Sequence, residues 1–528
     1  MSRGSHRLRA LAGLGVAGSL LSAYAAPGAV DDKAVGWWYE PSLPTGRGVC
    51  VALVYAGMVL LSLAWLGLGR MVGARPTRAT RATRATRATR ATRATRVATD
   101  DRAAPSRRQL LIVGGLWLLP LVLGPALFSR DVYSYLAQGT LLNLGHDPYQ
   151  ATPALLAQLG QPHVLDAVSS FWRHTPAPYG PLFLQLMNLV VAIAGSHLIV
   201  GVLLVRALDL IGVALLVVFL PRLTRALGTD EVRATWLILS PLVMLELIAA
   251  GHNDVLMIGL LVAGVAVALE GRPLVGIALC ALAATIKVPA LAGAVLIAAA
   301  WARAEGAPRA QARFLAIAAL VAAFVLAVVS VGTGFGVSWL TSTAFSTPAK
   351  VHLAITPATG IGATVAAAAH ALGVGVSTHG LEAAFGVLTA AITAALGLVL
   401  LGRVRVATLV AYLGAFLIAA AAGGPAAWPW YFTWGLVLLA ACAGPQRSTA
   451  LARAVVLGAF LVKPNGILAL RITAAPLVIL AYIAIAVSLE RARRRRHDGP
   501  GLEDDAVGGW GPSDPGLGVD ARSALIRT

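Results

Sequence analysis

The sequence predicts an all-α polytopic membrane protein with roughly 13 transmembrane helices. Three observations predict it. Of 528 residues, 58% are hydrophobic and only 12% are charged, about half the charged share of an average soluble domain. The mean hydropathy of +0.78 is too apolar for a solvated globule, which needs a polar skin. The apolar residues, mostly Ala, Leu, Val and Gly, run in blocks of span length and do not alternate as barrel strands do. A cytosolic enzyme, a disordered chain and a disulfide scaffold are thereby excluded.

The net charge of +19 is unevenly spread. Between Arg70 and Arg108 lie 12 arginines and two aspartates, Asp100 and Asp101, so this one segment carries +10. Arg491 and Arg493 to Arg496 form a second cluster. Between apolar spans such an excess is a positive-inside signal. No aromatic-interleaved basic fold surrounds these arginines, so a nucleic-acid partner is not expected. Cys50, Cys280 and Cys442 lie in apolar stretches, with neither metal spacing nor an obvious disulfide pair.

In chain order, residues 1–69 hold two apolar spans, about 10–30 and 49–69. The first follows a basic start and reads as an uncleaved helix rather than a signal peptide, because so many spans follow it. Residues 70–108 form a basic cytoplasmic linker. Its Thr-Arg-Ala repeat places seven arginines, Arg78 to Arg96, at a period of three, which matches neither a helix face nor a strand. Residues 109–490 form the main membrane domain. Its first span, about 109–128, opens onto a polar excursion at 129–180. Val132, Leu136, Gly139 and Leu142, then Leu155 and Leu159, suggest two amphipathic interfacial helices there. Residues 181–220 fit two spans by length, yet charge parity demands an odd number of crossings, so one piece is short or re-entrant. Further spans are expected near 234–250, 255–269, 273–286, 288–302, 314–332, 383–401, 406–422, 433–444, 451–469 and 473–489, with an extra or partial span at 361–380. Residues 491–528 are Gly/Pro/Asp-rich and read as a disordered cytoplasmic tail.

The polar residues that do not flank cytoplasmic ends fall on the opposite, outer face. They are Arg130-Asp131 with Tyr133 and Tyr135, His146-Asp147-Pro148-Tyr149, Trp172-Arg173-His174, His252-Asn253-Asp254, Lys287-Val288-Pro289, Lys350-Val351-His352 and Trp428-Pro429-Trp430-Tyr431. Charge at membrane depth is costly and marks function. Their gathering at one face points to a site at the outer membrane–water boundary.

Four of these motifs, in order, carry a family resemblance. Phe128-Ser129-Arg130-Asp131-Val132-Tyr133-Ser134-Tyr135, Gly145-His146-Asp147-Pro148-Tyr149, Trp172-Arg173-His174-Thr175-Pro176-Ala177-Pro178-Tyr179-Gly180-Pro181-Leu182 and Gly251-His252-Asn253-Asp254 resemble the actinobacterial polyprenyl-phosphomannose-dependent α-(1→6)-mannosyltransferases. That family is a branch of the GT-C glycosyltransferases. The resemblance spans about 109–490. It implies GT-C architecture with interfacial helices on the outer face, and an acidic residue at the start of the first long outer loop, which Asp131 matches. Many members carry two adjacent acids there; this chain has Arg130-Asp131. It also implies a polyprenyl-phosphate-mannose donor reached through the lipid bilayer, a glycolipid mannan acceptor, and a multi-pass enzyme of the plasma membrane with its active site outside the cytoplasm. A single carboxylate suffices for such an inverting transfer. A base takes the acceptor hydroxyl proton, and the phosphate leaves as a stable anion without an acid.

The expected roles follow. Asp131 is the general base, in a position that equally suits a helix-start acid. Lys287, Lys350 and His352 are candidates to hold the leaving phosphate, as are the cations Arg130 and Arg173 beside Tyr133 and His174. Asp147 and Tyr149 are candidates for acceptor-sugar contacts, against a plain Asp-Pro turn. His252 and Asp254 would contact substrate hydroxyls or supply a second acid. Trp428, Trp430, Tyr431 and Trp434 read as an interfacial aromatic belt in preference to a sugar platform. No Asp-x-Asp pair offers the several oxygen ligands that a hard cation wants, so no metal or other cofactor is expected. The rival readings are a flippase or transporter of polyprenyl-linked sugars, and a GT-C transferase of another sugar. A transporter should repeat midplane charges on broken helices, and no internal repeat is present. The sequence specifies no oligomeric state.

Overall fold

The computed structural model describes residues 3–30, 37, 46–73, 104–341, 356–424, 427–466 and 487. The arginine repeat, Lys350, His352 and the tail after 491 lie outside the described residues. The chain divides into Met1–Pro476 and Leu477–Thr528, and the helices below all belong to the first unit.

Among the described residues the fold is all-helical, without a strand. Two long apolar helices, α1 (Arg3–Val30) and α2 (Arg47–Gly73), lie side by side, with Ser22 Oγ donating to Val54 O at 3.3 Å. They precede α3 (Arg107–Leu123), α4 (Asp131–Asn143), α5 (Pro162–Ala167), α6 (Pro181–Ala194) and α7 (Leu198–Ala226). A bent pair follows, α8 (Glu231–Ile238) and α9 (Pro241–Ala249), broken by 46°. Next come α10 (Asp254–Leu269), α11 (Pro273–Ala284), α12 (Leu291–Ala302) and α13 (Pro308–Gly332). The last are α14 (Ser338–Thr341), α15 (Pro357–Ala371), α16 (Thr378–Arg403), α17 (Leu409–Gly423), α18 (Thr433–Ala441) and α19 (Pro445–Ala459). Large apolar side chains stand exposed on α13 and α16, including Phe324, Val331, Val387 and Leu398, as suits helices facing lipid tails.

Where the sequence predicts roughly 13 crossings, six described helices are long and apolar enough to cross a membrane, or seven if the bent pair is one span. Five other apolar helices, including α6, α10 and α11, have 10–17 residues. At about 1.5 Å per residue they fall short of a hydrocarbon core of about 30 Å. The reason is local. Their apolar runs are cut at Tyr179-Gly180, His252-Asn253, Lys287-Val288-Pro289 and Trp428-Pro429, so the helices stop where the polar residues begin. Non-helical backbone at such depth is tolerated where protein surrounds it or where it lines a cavity. The paired pieces expected in 181–220 are the short α6 and the long α7. The 361–380 segment contributes most of α15.

The 129–180 excursion differs from two surface-lying amphipathic helices. In α4 every residue from Val132 to Leu141 is buried, because α6 and α7 pack on it. The second helix is replaced by a short turn at Pro153–Ala157 and the six-residue α5.

One polar residue organises this region. Arg206, in the middle of α7, is fully buried. Its Nη1 donates to Val122 O at 2.7 Å and to Gly124 O; its Nη2 donates to Pro125 O at 3.0 Å and to Ala249 O. The carbonyls at the end of α3 and of α9 lack helical partners, and one guanidinium supplies donors to both. Asp209, one turn on, is also buried. Arg206→Met should therefore destabilise the protein by at least about 3 kcal/mol, since several buried carbonyls lose their donor together. Thermal unfolding of detergent-solubilised protein checks this; an unchanged melting temperature would contradict the clamp.

Candidate functional site

The chain approaches Asp131 through a constrained turn. Phe128 is fully buried with φ of 65°, a left-handed conformation that costs a bulky side chain energy and persists only where packing holds it. Its N–H donates to Pro464 O at 2.8 Å. Three residues on, Asp131 opens α4, its backbone N–H donating to Ser129 Oγ at 3.0 Å. Its carboxylate is held on both sides. Trp172 Nε1 donates to Oδ1 at 2.9 Å, and His252 Nε2 lies 3.6 Å from Oδ2.

The second strand of the site leaves α9. A π-helical turn at Met244–Ala249 ends at Gly251, whose φ of +74° turns the chain. His252, Asn253 and Asp254 follow, all fully buried. The His252 ring stacks on Trp430 with centroids 4.2 Å apart, and its Nδ1 meets Glu246 O. Asp254 binds Lys287 through both oxygens, at 2.8 and 2.9 Å, and accepts a hydrogen bond from Trp434 Nε1. Lys287 Nζ sits 4.5 Å from the Tyr431 ring centroid and 5.4 Å from that of Trp434.

Lys287 is placed by the break after α11. Gly180 N donates to Ile286 O at 3.0 Å and Leu182 N to Thr285 O at 3.1 Å, so the Tyr179-Gly180-Pro181 turn lies directly on the backbone that leads to Lys287. The approach needs glycine: a Cβ on Gly180 would stand 2.1 Å from Thr285 O.

Burial divides the cluster. The Asp131 side chain is 14% exposed and that of Lys287 is 12% exposed, whereas those of His252 and Asp254 are at 0%. The first two are thus partly open to the outside, and the others are closed off from it. The structure thus unites Asp131, His252, Asp254 and Lys287 from three distant segments, with His252 and Asp254 fully buried beneath the other two.

Other candidates fall elsewhere. Arg130 donates to Ala167 O at 2.7 and 3.1 Å, and Arg173 donates to Val168 O at 3.2 Å and pairs with Asp166 at 3.8 Å. Both tie down the α5 turn. Tyr133 is buried in α4 with Arg130 over its ring at 5.8 Å. His174 is exposed in the loop. Asp147 caps its own turn, accepting from Tyr149 N at 2.9 Å, and Tyr149 donates from its hydroxyl to Tyr179 O at 2.8 Å. Burial, then the Asp147 charge, push the Tyr149 phenol well up, so it stays a neutral donor. The aromatic-belt reading of Trp428, Trp430 and Trp434 is corrected: all three are buried, packed against His252, Lys287 and one another rather than at a lipid interface. The sequence gives Trp172 no role of its own within the outer-face group and leaves Arg206 outside that group. The available signals were a tryptophan beside Arg173-His174 and an arginine inside an apolar span. Among the described residues no group of three or more His, Cys, Asp or Glu could hold a metal ion.

Broken apolar helices thus meet at an acid, a lysine and stacked aromatic rings. Residues 10–303 match the family model "Alpha-(1->6)-mannopyranosyltransferase, N-terminal domain", and residues 358–491 match "MptB C-terminal domain". The chain is 35% identical over 423 residues to alpha-(1->6)-mannopyranosyltransferase A of Mycobacterium tuberculosis, covering 77% of this chain and 74% of that one. It is 33% identical over 457 residues to a probable alpha-(1->6)-mannopyranosyltransferase of Mycolicibacterium smegmatis, covering 79% and 76%. It is also 29% identical over 420 residues to alpha-(1->6)-mannopyranosyltransferase B of Corynebacterium glutamicum, covering 74% and 65%. No solved structure matches. The class is a membrane glycosyltransferase. The chain belongs to the alpha-(1->6)-mannopyranosyltransferase family.

Gly180→Ala should destabilise the protein by about 1–3 kcal/mol through the clash at Thr285 and lower glycosyl transfer by displacing Lys287. Melting temperature and transfer rate, measured together, check this. A variant matching the parent in both would contradict the close approach.

Proposed function

We propose that this enzyme transfers mannose from a polyprenyl-phosphate-mannose donor to a glycolipid mannan acceptor, with inversion, forming an α-(1→6) bond. The active site would face outward from the plasma membrane, in a GT-C architecture. The observation that carries the reading is that two partly exposed groups of opposite charge, Asp131 and Lys287, each held by a buried partner, stand at one cluster of helix breaks. Membership of the mannopyranosyltransferase family supports the sugar.

Asp131 takes the proton of the acceptor hydroxyl as its oxygen attacks the anomeric carbon. Trp172 leaves one carboxylate oxygen committed and aims the other. Lys287 supplies fixed positive charge to the departing phosphate, where a preplaced cation is worth more than in water. Asp254 and Trp434 hold the ammonium in place, and the Tyr431 and Trp434 rings shield it from water. Arg130, Arg173, Asp147 and Tyr149 shape the loop over the site. No metal or cofactor takes part in this scheme.

Two variants test it in purified enzyme given radiolabelled polyprenyl-phosphomannose. Asp131→Asn should lower kcat by at least about 100-fold with the fold intact, and Lys287→Met should lower it with an increased KM for the donor. Excess chelator should leave the parent's turnover unchanged. Normal transfer by Asp131→Asn would overturn the base assignment, and loss of turnover in chelator would overturn the metal-free scheme.

A further inference from the structure

His252 has no route to a substrate, yet it is among the most tightly specified side chains of the site. It is fully buried, and its ring is stacked on Trp430 at 4.2 Å, so it cannot turn. One nitrogen, Nδ1, meets the backbone carbonyl of Glu246. A carbonyl only accepts, so Nδ1 must carry the proton. In a neutral ring this leaves Nε2 as a bare acceptor. Nε2 faces Asp131 Oδ2 at 3.6 Å, and makes no other hydrogen bond. The other Asp131 oxygen is occupied by the Trp172 indole N–H. Two acceptors therefore face each other across a gap that a proton would close.

We infer that His252 is a positioning residue that shares, through Asp131, the proton withdrawn from the acceptor. This deepens the proposed base role of Asp131 and rests on it. As the acceptor oxygen bonds to the anomeric carbon, the carbon–phosphate-oxygen bond breaks and its electron pair leaves on the phosphate. The hydroxyl proton passes to Asp131 Oδ2, where Nε2 of His252 is the second acceptor. The pair goes from one negative charge to none, and no further reactant is needed. After product release the proton leaves through Asp131, the exposed member of the pair. The arrangement explains why the carboxylate is aimed asymmetrically: Trp172 fixes the oxygen that does not take the proton, and His252 backs the one that does. A neutral histidine that merely braced the carboxylate would donate from Nε2, and the Glu246 carbonyl forbids that tautomer.

The test uses the full-length protein with 15N-labelled histidine, and His252→Gln both as the assignment control and as a kinetic variant. The expected spectrum shows a protonated Nδ1 and an unprotonated Nε2 at His252. In Asp131→Asn, whose amide can donate to Nε2, the Nε2 signal should move while Nδ1 stays. His252→Gln should lower kcat by about tenfold, with KM for donor and acceptor within about twofold. An Nε2-protonated ring in the parent protein overturns the inference, and so does a His252→Gln enzyme with undiminished kcat. If Asp131→Asn itself transfers normally, the base reading falls and this inference with it. If Asp131→Asn is inactive while His252→Gln is unimpaired, only the shared proton is refuted. Should His252→Gln fail to fold, the tautomer in the parent protein still decides.

Discussion

The site depends on a single guanidinium in an apolar helix. An arginine buried at membrane depth is costly unless its donors find partners, and the two Nη groups of Arg206 find carbonyls at the ends of two other elements. Those ends are the ones that lead into the chemistry. The Val122–Pro125 stretch runs on to Phe128 and Asp131, and Ala249 runs on to Gly251 and His252. One side chain thereby sets the separation between the two segments whose carboxylate and imidazole meet. Helix ends need donors in any case, so the fold satisfies an unavoidable backbone demand with the same residue that aligns the site.

Around that clamp the site is built in two tiers. Asp131 and Lys287 reach outward. His252, Asp254 and Trp434 hold them from below, and are fully or almost fully buried. The aromatic residues serve the same end. Trp430 locks the His252 ring, while Tyr431 and Trp434 flank the ammonium of Lys287. Such support keeps charged groups at fixed distances before substrate arrives, which is the condition for electrostatic stabilisation of charge that develops during a reaction.

Much of this was legible in the sequence, for a physical reason. Against an apolar background each charged residue stands out, so Asp131, His252, Asp254 and Lys287 could be named from their cost alone. The helix breaks were equally visible as Gly, Pro and polar interruptions, although their consequence, several helices too short to span, was not. What single-sequence periodicity lacks is long-range pairing. Nothing local ties Trp434 to Asp254, Gly180 to Thr285 or Arg206 to the end of α3. For the same reason Asp147, Tyr149, Arg130 and Arg173, polar and aromatic in the same loop, stand in the sequence as substrate-contact candidates beside Asp131. The fold spends their hydrogen bonds inside the loop. The tryptophans looked like a lipid-interface belt because composition cannot tell an aromatic cluster at the interface from one packed on a lysine.

The central claim is that Asp131 and Lys287 stand on the two sides of the reacting bond. A structure of the enzyme with a non-transferable polyprenyl-phosphomannose analogue tests it most directly. The account predicts the phosphate within hydrogen-bond reach of Lys287 Nζ, with the anomeric carbon turned toward Asp131. A phosphate seated away from Lys287, or a sugar whose anomeric carbon faces away from Asp131, would contradict it.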